Sequence, residues 1–325
     1  MLDSDTVSDG VVSPTQQRVL PLFPCRMALS PPMPLSTAVI IATKGRVQDV
    51  SNLLDALELQ TVPPELIVIS ASEQRDVNPD RVSGKNVEVI FGPPGLTAQR
   101  NRALSAIHGK CDVVVFFDDD FIPSRFWIEN AGAALAAEPD VVCVTGHVLL
   151  DGVMIGGVER SHGQSLVDKA DASSGAGSSG HTVKRQDSPY GCNMAFRATD
   201  IEHLTFDERL VLYGWLEDRD FSFRAGAKTI WTDALWGVHL GTTQARSSGR
   251  SFGYSQVVNP WYLITKGTMT WVDAYGAILR ALAANTLGSL FPEAAVDRHG
   301  RLRGNIIAIK DLLRGSWAPE KAAEL

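Results

Sequence analysis

Between residues 36 and 117, short unbroken apolar runs alternate with stretches in which apolar side chains recur every three or four positions. The runs STAVIIAT (36–43), ELIVIS (65–70), NVEVIFG (86–92) and CDVVVFF (111–117) are β-rich and too short for helices, so each predicts a strand. Between them, Val47, Val50, Leu53, Leu54 and Leu57 keep helical spacing up to the break at Pro63-Pro64. Leu96, Arg100, Ala103, Leu104 and Ile107 do the same after Pro93-Pro94-Gly95. CDVVVFF shows no in–out alternation, which places it in a sheet covered on both faces. Strands and helices in this alternation build a doubly wound, mostly parallel α/β sheet with right-handed crossovers. Ligands of such sheets gather at the carboxyl ends of the strands. Thr43 to Arg46, Ser70 to Ser72 and Asp118 to Asp120 all stand at such ends, so they should meet along one edge.

Farther on, residues 123–138 read as a helix, DVVCVTGHVLL (140–150) as one or two strands, and YGCNMAFR (190–197) as a strand. WLEDRDFSFRAG (215–226) is helical, followed by a short strand KTIWT (228–232) and by GVHLG (237–241). The Ser/Gly-rich DASSGAGSSGH (171–181) has little apolar surface to bury, so 161–188 is expected to be a mobile loop. From Ser251 the pattern turns helical, over 271–291 and 305–315. The first 35 residues carry no basic leader and read as a tail or linker. The expected organisation is a tail (1–35), an α/β domain (36–250) and a helical C-terminal region (251–325).

Composition narrows the function classes. With 44% apolar and 21% charged residues among 325, the chain is globular in type. The net charge of −7 excludes a general nucleic-acid binder, whose footprint is basic. Four widely spaced cysteines form no C-x-x-C pair, which argues against a zinc ribbon or disulfide scaffold and for a reducing, cytoplasmic compartment. No apolar window reaches the roughly 18 residues that span a bilayer.

The chemistry concentrates at VVVFFDDDFIP (113–123), where a buried strand runs into three carboxylates. Adjacent like charges raise one another's pKa unless a cation sits among them. Side chains at a strand end alternate, so Asp118 and Asp120 can converge while Asp119 points elsewhere. Two convergent carboxylates suit Mg²⁺ or Mn²⁺, whereas helix capping would account for one aspartate only. A second acidic group, Trp215-Leu216-Glu217-Asp218-Arg219-Asp220, opens a helix, where the dipole alone would favour acids. Its aromatic flanks also make it a place for a carboxylate of raised pKa, fit to be a general base. His239 could be a structural histidine or a ligand completing a metal set. Arg100 and Asn101 could form an exposed helix turn, or Arg100 could supply local positive charge to a diphosphate.

Taken in order, ATKGR, AQRN, FFDDD, GCNMAFR, LEDRDFSFR and HLG resemble the family 2 glycosyltransferases of the GT-A fold, across roughly residues 36 to 241. Exopolysaccharide-type members are the nearest in kind. The resemblance implies that Asp118-Asp119-Asp120 is a DxD motif, with Asp118 toward the nucleoside, Asp120 on the metal and Asp119 the least consequential. It further implies that Thr43, Arg46, Arg100 and Asn101 surround the nucleotide, and that Asn193 and Trp215 lie on the acceptor side. Asp218 would be the catalytic base with Glu217 beside it, and His239 a second metal ligand. One departure concerns the base. Where the family often has Asp-Gly-Ser after strand two, this chain has Ile69-Ser70-Ala71-Ser72-Glu73, so Ser72 is expected to substitute.

The expectation is therefore a Mn²⁺- or Mg²⁺-dependent inverting transferase. It would move a sugar from a nucleoside diphosphate, UDP-linked, to a hydroxyl of a glycan or lipid-linked acceptor in polysaccharide biosynthesis. A non-catalytic nucleotide-binding scaffold is the alternative. Arg301, Arg303, Lys310 and Arg314 beside an apolar stripe, with Trp261, Tyr262, Trp271 and Tyr275 before them, fit either a packed helix with a wet basic face or a peripheral contact with the inner membrane face.

Overall fold

The structure is a computed structural model that describes residues 35–84, 86–153, 155–174, 181–242, 248–291 and 296–325. The tail expected over 1–35 lies, but for Leu35, outside these residues. Strands β1 (Thr37–Thr43), β2 (Leu66–Ala71), β3 (Val87–Phe91) and β4 (Val113–Asp118) are parallel in the order β3-β2-β1-β4, with α1 (Val47–Glu58) and α2 (Leu96–Ile107) between strands. Alternate residues of β4 feed opposite cores. Val113, Val115 and Phe117 pack with Leu53 of α1 and Trp127. Val114 and Phe116 pack with Ala103 of α2, Phe206 and Phe221. Burial on both faces explains the continuous apolar run in the sequence.

Beyond β4 the sheet becomes mixed. β5 (Phe121–Pro123), α3 (Trp127–Ala137), β6 (Cys143–Asp151), α4 (Arg160–Ser173), β7 (Val183–Gln186), β8 (Asn193–Arg197), α5 (Ala198–Ile201), α6 (Glu217–Arg224) and β9 (Thr229–His239) follow in the chain. The sheet order continues β4-β8-β6-β9-β5, with β7 on β9. β8 is antiparallel to β4 and β6, whereas β6 and β9 are parallel to each other. Hence β1, β2, β4, β6 and β9 all end on one edge, and β8 begins there.

Two segments differ from the sequence reading. The stretch 161–188, expected to be a mobile loop, carries α4 and β7. Val167 packs with Ile122, Val238 and Leu240. Asp171 accepts hydrogen bonds from Ser124 Oγ (2.7 Å) and Trp236 Nε1 (2.8 Å). Polar side chains taken up by buried partners look solvated in sequence. Residues 175–180 of that loop lie outside the described residues. Secondly, KTIWT and GVHLG belong to the single strand β9, whose pairing with β6 shifts register twice.

The C-terminal region comprises α7 (Gly249–Lys266), α8 (Trp271–Leu290) and α9 (Arg298–Arg314). Among the described residues no helix is long and apolar enough to cross a membrane. α7 and α9 touch backbone to backbone: a Cβ on Gly253 would run into the Arg301 carbonyl, and one on Gly304 into the Arg250 carbonyl. Lys266, after Asp207 (2.6 Å), reaches the fully buried Asp220 of α6 (2.8 Å), and Thr268 donates to the same carboxylate (2.8 Å). Asn259 donates to the Trp215 carbonyl at 2.9 Å. These contacts bind the helices to the loop that leads into α6.

Gly304→Ala should therefore force α7 and α9 apart and destabilise the protein by roughly 1–3 kcal/mol, the usual cost of overpacking. Chemical denaturation measures it, and an unchanged midpoint would show that the helices separate freely.

Candidate active site

The shared strand edge holds a cavity of about 600 Å³, within the range of small-molecule sites. Thr43, Lys44 and Arg46 at and after the end of β1, Asp118 to Asp120 at the end of β4, and His239 at the end of β9 line it. Leu212, Tyr213, Phe252, Asp297 and Arg301 line it as well.

The three aspartates divide as alternation requires. Asp119 turns to Thr43 Oγ1 (2.7 Å) and Arg46 Nη1 (2.8 Å) and is buried. Asp118 and Asp120 turn to His239, and the three offer ligand atoms all within 4.8 Å of one another. Asp120 is buried; its Oδ2 accepts from the Thr242 N–H (2.7 Å), and its Oδ1, 3.3 Å from His239 Nε2, has no aligned hydrogen bond. His239 Nδ1 lies 3.2 Å from Asp151 Oδ1. A carboxylate can only accept, so the Nδ1 proton faces Asp151 and Nε2 is left toward the aspartates. Tyr190 donates to the other Asp151 oxygen at 2.7 Å and holds it in place. Burial pulls the His239 pKa down, but the adjacent carboxylates of Asp120 and Asp151 outweigh it and raise it to about 10. So many carboxylates around one imidazole fit a hard divalent cation, and Asp118, Asp120 and His239 are the residues that would hold it.

Arg100 lies beneath this cluster, not in the cavity. Its side chain is 2% exposed and packs against the rings of Phe116 and Phe206, 5.5 and 5.4 Å from their centroids. It donates to Asp118 Oδ1 (3.1 Å), to the Gly191 carbonyl (2.8 Å) and to Glu217 Oε1. Glu217 and Asp218 open α6, aimed by Leu216 in the left-handed region (φ 73°). Asp218 accepts from the Gly191 N–H (3.0 Å) and the Arg219 N–H (2.7 Å). Burial raises the Asp218 pKa against these bonds. It also raises that of Glu217, with Arg100 opposing.

The other expected site residues are placed differently. Asn101, about 100° around α2 from Arg100, bonds to the Phe206 backbone and Glu208 and does not line the cavity. Asn193 is fully buried, and its amide oxygen accepts from the Gly146 N–H (2.7 Å) inside the sheet. The Ser72 hydroxyl has no hydrogen-bond partner and is not part of the cavity lining. The acid near β2 is the buried Asp76, which accepts from the Gly45, Ser72 and Glu73 N–H groups (2.9, 3.1 and 2.9 Å). Trp215 reaches the cavity through Phe252, 6.1 Å between ring centroids. Asp151, Tyr190 and Phe252 did not emerge from the sequence, and Arg301, expected on a basic outer face of its helix, lines the cavity instead. Asp151 had a signal, because it follows a strand that ends on the ligand edge. Tyr190 and Phe252 had none.

Residues 38–153 match the family model described as glycosyl transferase family 2. The chain is a glycosyltransferase. No curated protein matches it. Among solved structures it is similar to a mannosyltransferase from Pyrobaculum calidifontis, solved in complex with GDP-Man and Mn²⁺. The identity is 17% and the TM-score 0.51, covering 92% of this chain and 86% of that one. This likeness shows the GT-A fold, including the mostly parallel sheet and the helical C-terminal extension. A mycobacterial protein follows at 16% identity and TM-score 0.47, with 70% and 74% covered. In this glycosyltransferase the matched segment supplies the aspartates and Asp151 but neither His239 nor the acids of α6.

Partners that orient a metal-binding histidine are typically worth 10–100-fold in metal affinity. Asp151→Asn should weaken Mn²⁺ binding to the protein by about that factor, read by titration calorimetry. Unchanged affinity would mean that His239 needs no such anchor or binds no metal.

Proposed function

We propose that this glycosyltransferase is metal-dependent and inverting, and that it moves a sugar from a nucleoside diphosphate to a hydroxyl of a glycan or lipid-linked acceptor in cytoplasmic polysaccharide biosynthesis. One observation carries the reading: the buried Arg100 touches both Asp118 of the cation-type cluster and Glu217, the neighbour of Asp218. Leaving-group chemistry and proton abstraction then lie on two sides of one fixed charge. A Mn²⁺ or Mg²⁺ held by Asp118, Asp120 and His239 would supply Lewis-acid neutralisation of the departing diphosphate.

The protein's own residues account for the rest. Thr43, Arg46 and Asp119 hold the nucleoside end, with Arg46 a cation within reach of ligand. Arg100 holds Asp118 and Glu217 in place. As the anomeric carbon–phosphate oxygen bond breaks, the leaving diphosphate needs no proton, but the attacking hydroxyl must lose one. Asp218 takes it, and attack from the side opposite the diphosphate inverts the anomeric centre. The raised pKa of Asp218 makes it a better base than an exposed aspartate. The base of the donor is read as uridine from the resemblance. A fold relative holds GDP-Man, so thermal shifts with UDP and GDP in Mn²⁺ are the deciding comparison.

Asp218→Asn should lower turnover by roughly two to four orders of magnitude while nucleotide affinity stays the same. A variant that fails to bind donor would place Asp218 on the wrong side of the site. Because the base must be deprotonated, kcat/KM should fall as pH drops through the Asp218 pKa, above the ordinary aspartate value. That acid limb should vanish in the residual activity of the variant. If the unaltered protein binds nucleotide but consumes no donor under any acceptor condition, the scaffold reading replaces this one.

A further inference from the structure

α8 buries Ala274, Ile278, Ala281, Asn285 and Gly288. The opposite side of a surface helix is ordinarily polar. Here it is apolar: Val272, Leu279 and Leu290 are 83%, 62% and 69% exposed, and their spacings of 7 and 11 residues place them on one line. Leu313 of α9 (83%) is exposed as well. Twenty residues make a helix about 30 Å long, so this stripe is more than the scattered apolar side chains of a typical surface.

Charge indicates what covers it. Arg280, Arg303, Lys310 and Arg314 of α8 and α9 are exposed. The acids within these helices, Asp273 and Asp311, pair with Arg219 (2.7 Å) and Lys321 (2.5 Å). A chain of net charge −7 thus shows cations beside its apolar stripe. At one end Trp271 stacks on Tyr275, with centroids 5.8 Å apart, and Trp261 meets both edge-on. Such rings favour the level of lipid headgroups. Pairing two copies through this face would set its cations against themselves, because a two-fold interface presents the same patch to itself.

We propose that the outward face of α8, with the adjoining cations of α9, docks flat on an anionic lipid bilayer. The apolar stripe enters the headgroup boundary and the cations meet lipid phosphates. The proposal deepens the lipid-linked acceptor reading above, but the binding itself needs no catalysis.

Co-sedimentation tests it with vesicles of phosphatidylcholine alone and of phosphatidylcholine with phosphatidylglycerol. The protein should bind the anionic vesicles and release them at high salt. The double variant Leu279→Glu/Leu290→Glu should weaken binding by roughly tenfold or more, with its thermal shift by donor nucleotide unchanged. Arg303→Gln/Lys310→Gln, which leaves the stripe intact, should weaken anionic binding alone. Absent or charge-indifferent vesicle binding would overturn the proposal. So would a dimer in light scattering that the leucine variant dissolves, which would assign the face to a second copy. Transfer to a soluble acceptor, measured in parallel, keeps failure here distinct from failure of the catalytic reading.

Discussion

A guanidinium in a place that water does not reach dictates the form of the site. Arg100 is neutralised by Asp118 and Glu217 and capped by the Gly191 carbonyl. Breaking a buried pair by removing one partner typically costs about 3–5 kcal/mol. Each carboxylate is thereby held to one orientation, and the turn after β4 is tied to the start of α6, about a hundred residues later. Even Gly191 answers to the same constraint. A Cβ there would stand 3.0 Å from Glu217 Oε1 and 3.3 Å from Asp218 Oδ2.

The loop that delivers those acids is strained where it matters. Leu212 and Leu216 both have positive φ (61° and 73°) and flank Gly214 (65°). An L-residue in this region costs on the order of 1–2 kcal/mol, and surrounding structure must hold it there. α7 does so in part through Asn259 and the Trp215 carbonyl. The helical extension therefore shapes the site as well as lining it.

Much of this was legible in the sequence, because strand ends in a parallel sheet share an edge and side chains at those ends alternate. The divergence of Asp119 from Asp118 and Asp120 follows from that rule alone, as does the presence of Thr43 and Arg46 nearby. Period and composition do not report which way a helical residue turns, so Arg100 and Asn101 read alike although one is buried at the site and the other faces away. Nor do they reveal that the amide of Asn193 is taken up by a neighbouring strand. Phe252, and the place of Arg301 at the site, were hidden for another reason: only the packing of α7 on α9 brings them to the cavity.

The strand order bears on how the site comes into being during synthesis. β5 follows β4 within a few residues, yet it stands at the other end of the pairing order and pairs with β9, Phe121 opposite His239. β8, made much later than β4 and β6, is inserted between them. A nascent chain ending before residue 237 thus has its acidic turn tethered at one side only, with the β4 edge open until β8 arrives. Such open edges invite wrong pairing. Yet one register pair that completes the sheet also brings the histidine to the aspartates, so the ligand set forms as the sheet closes and not before.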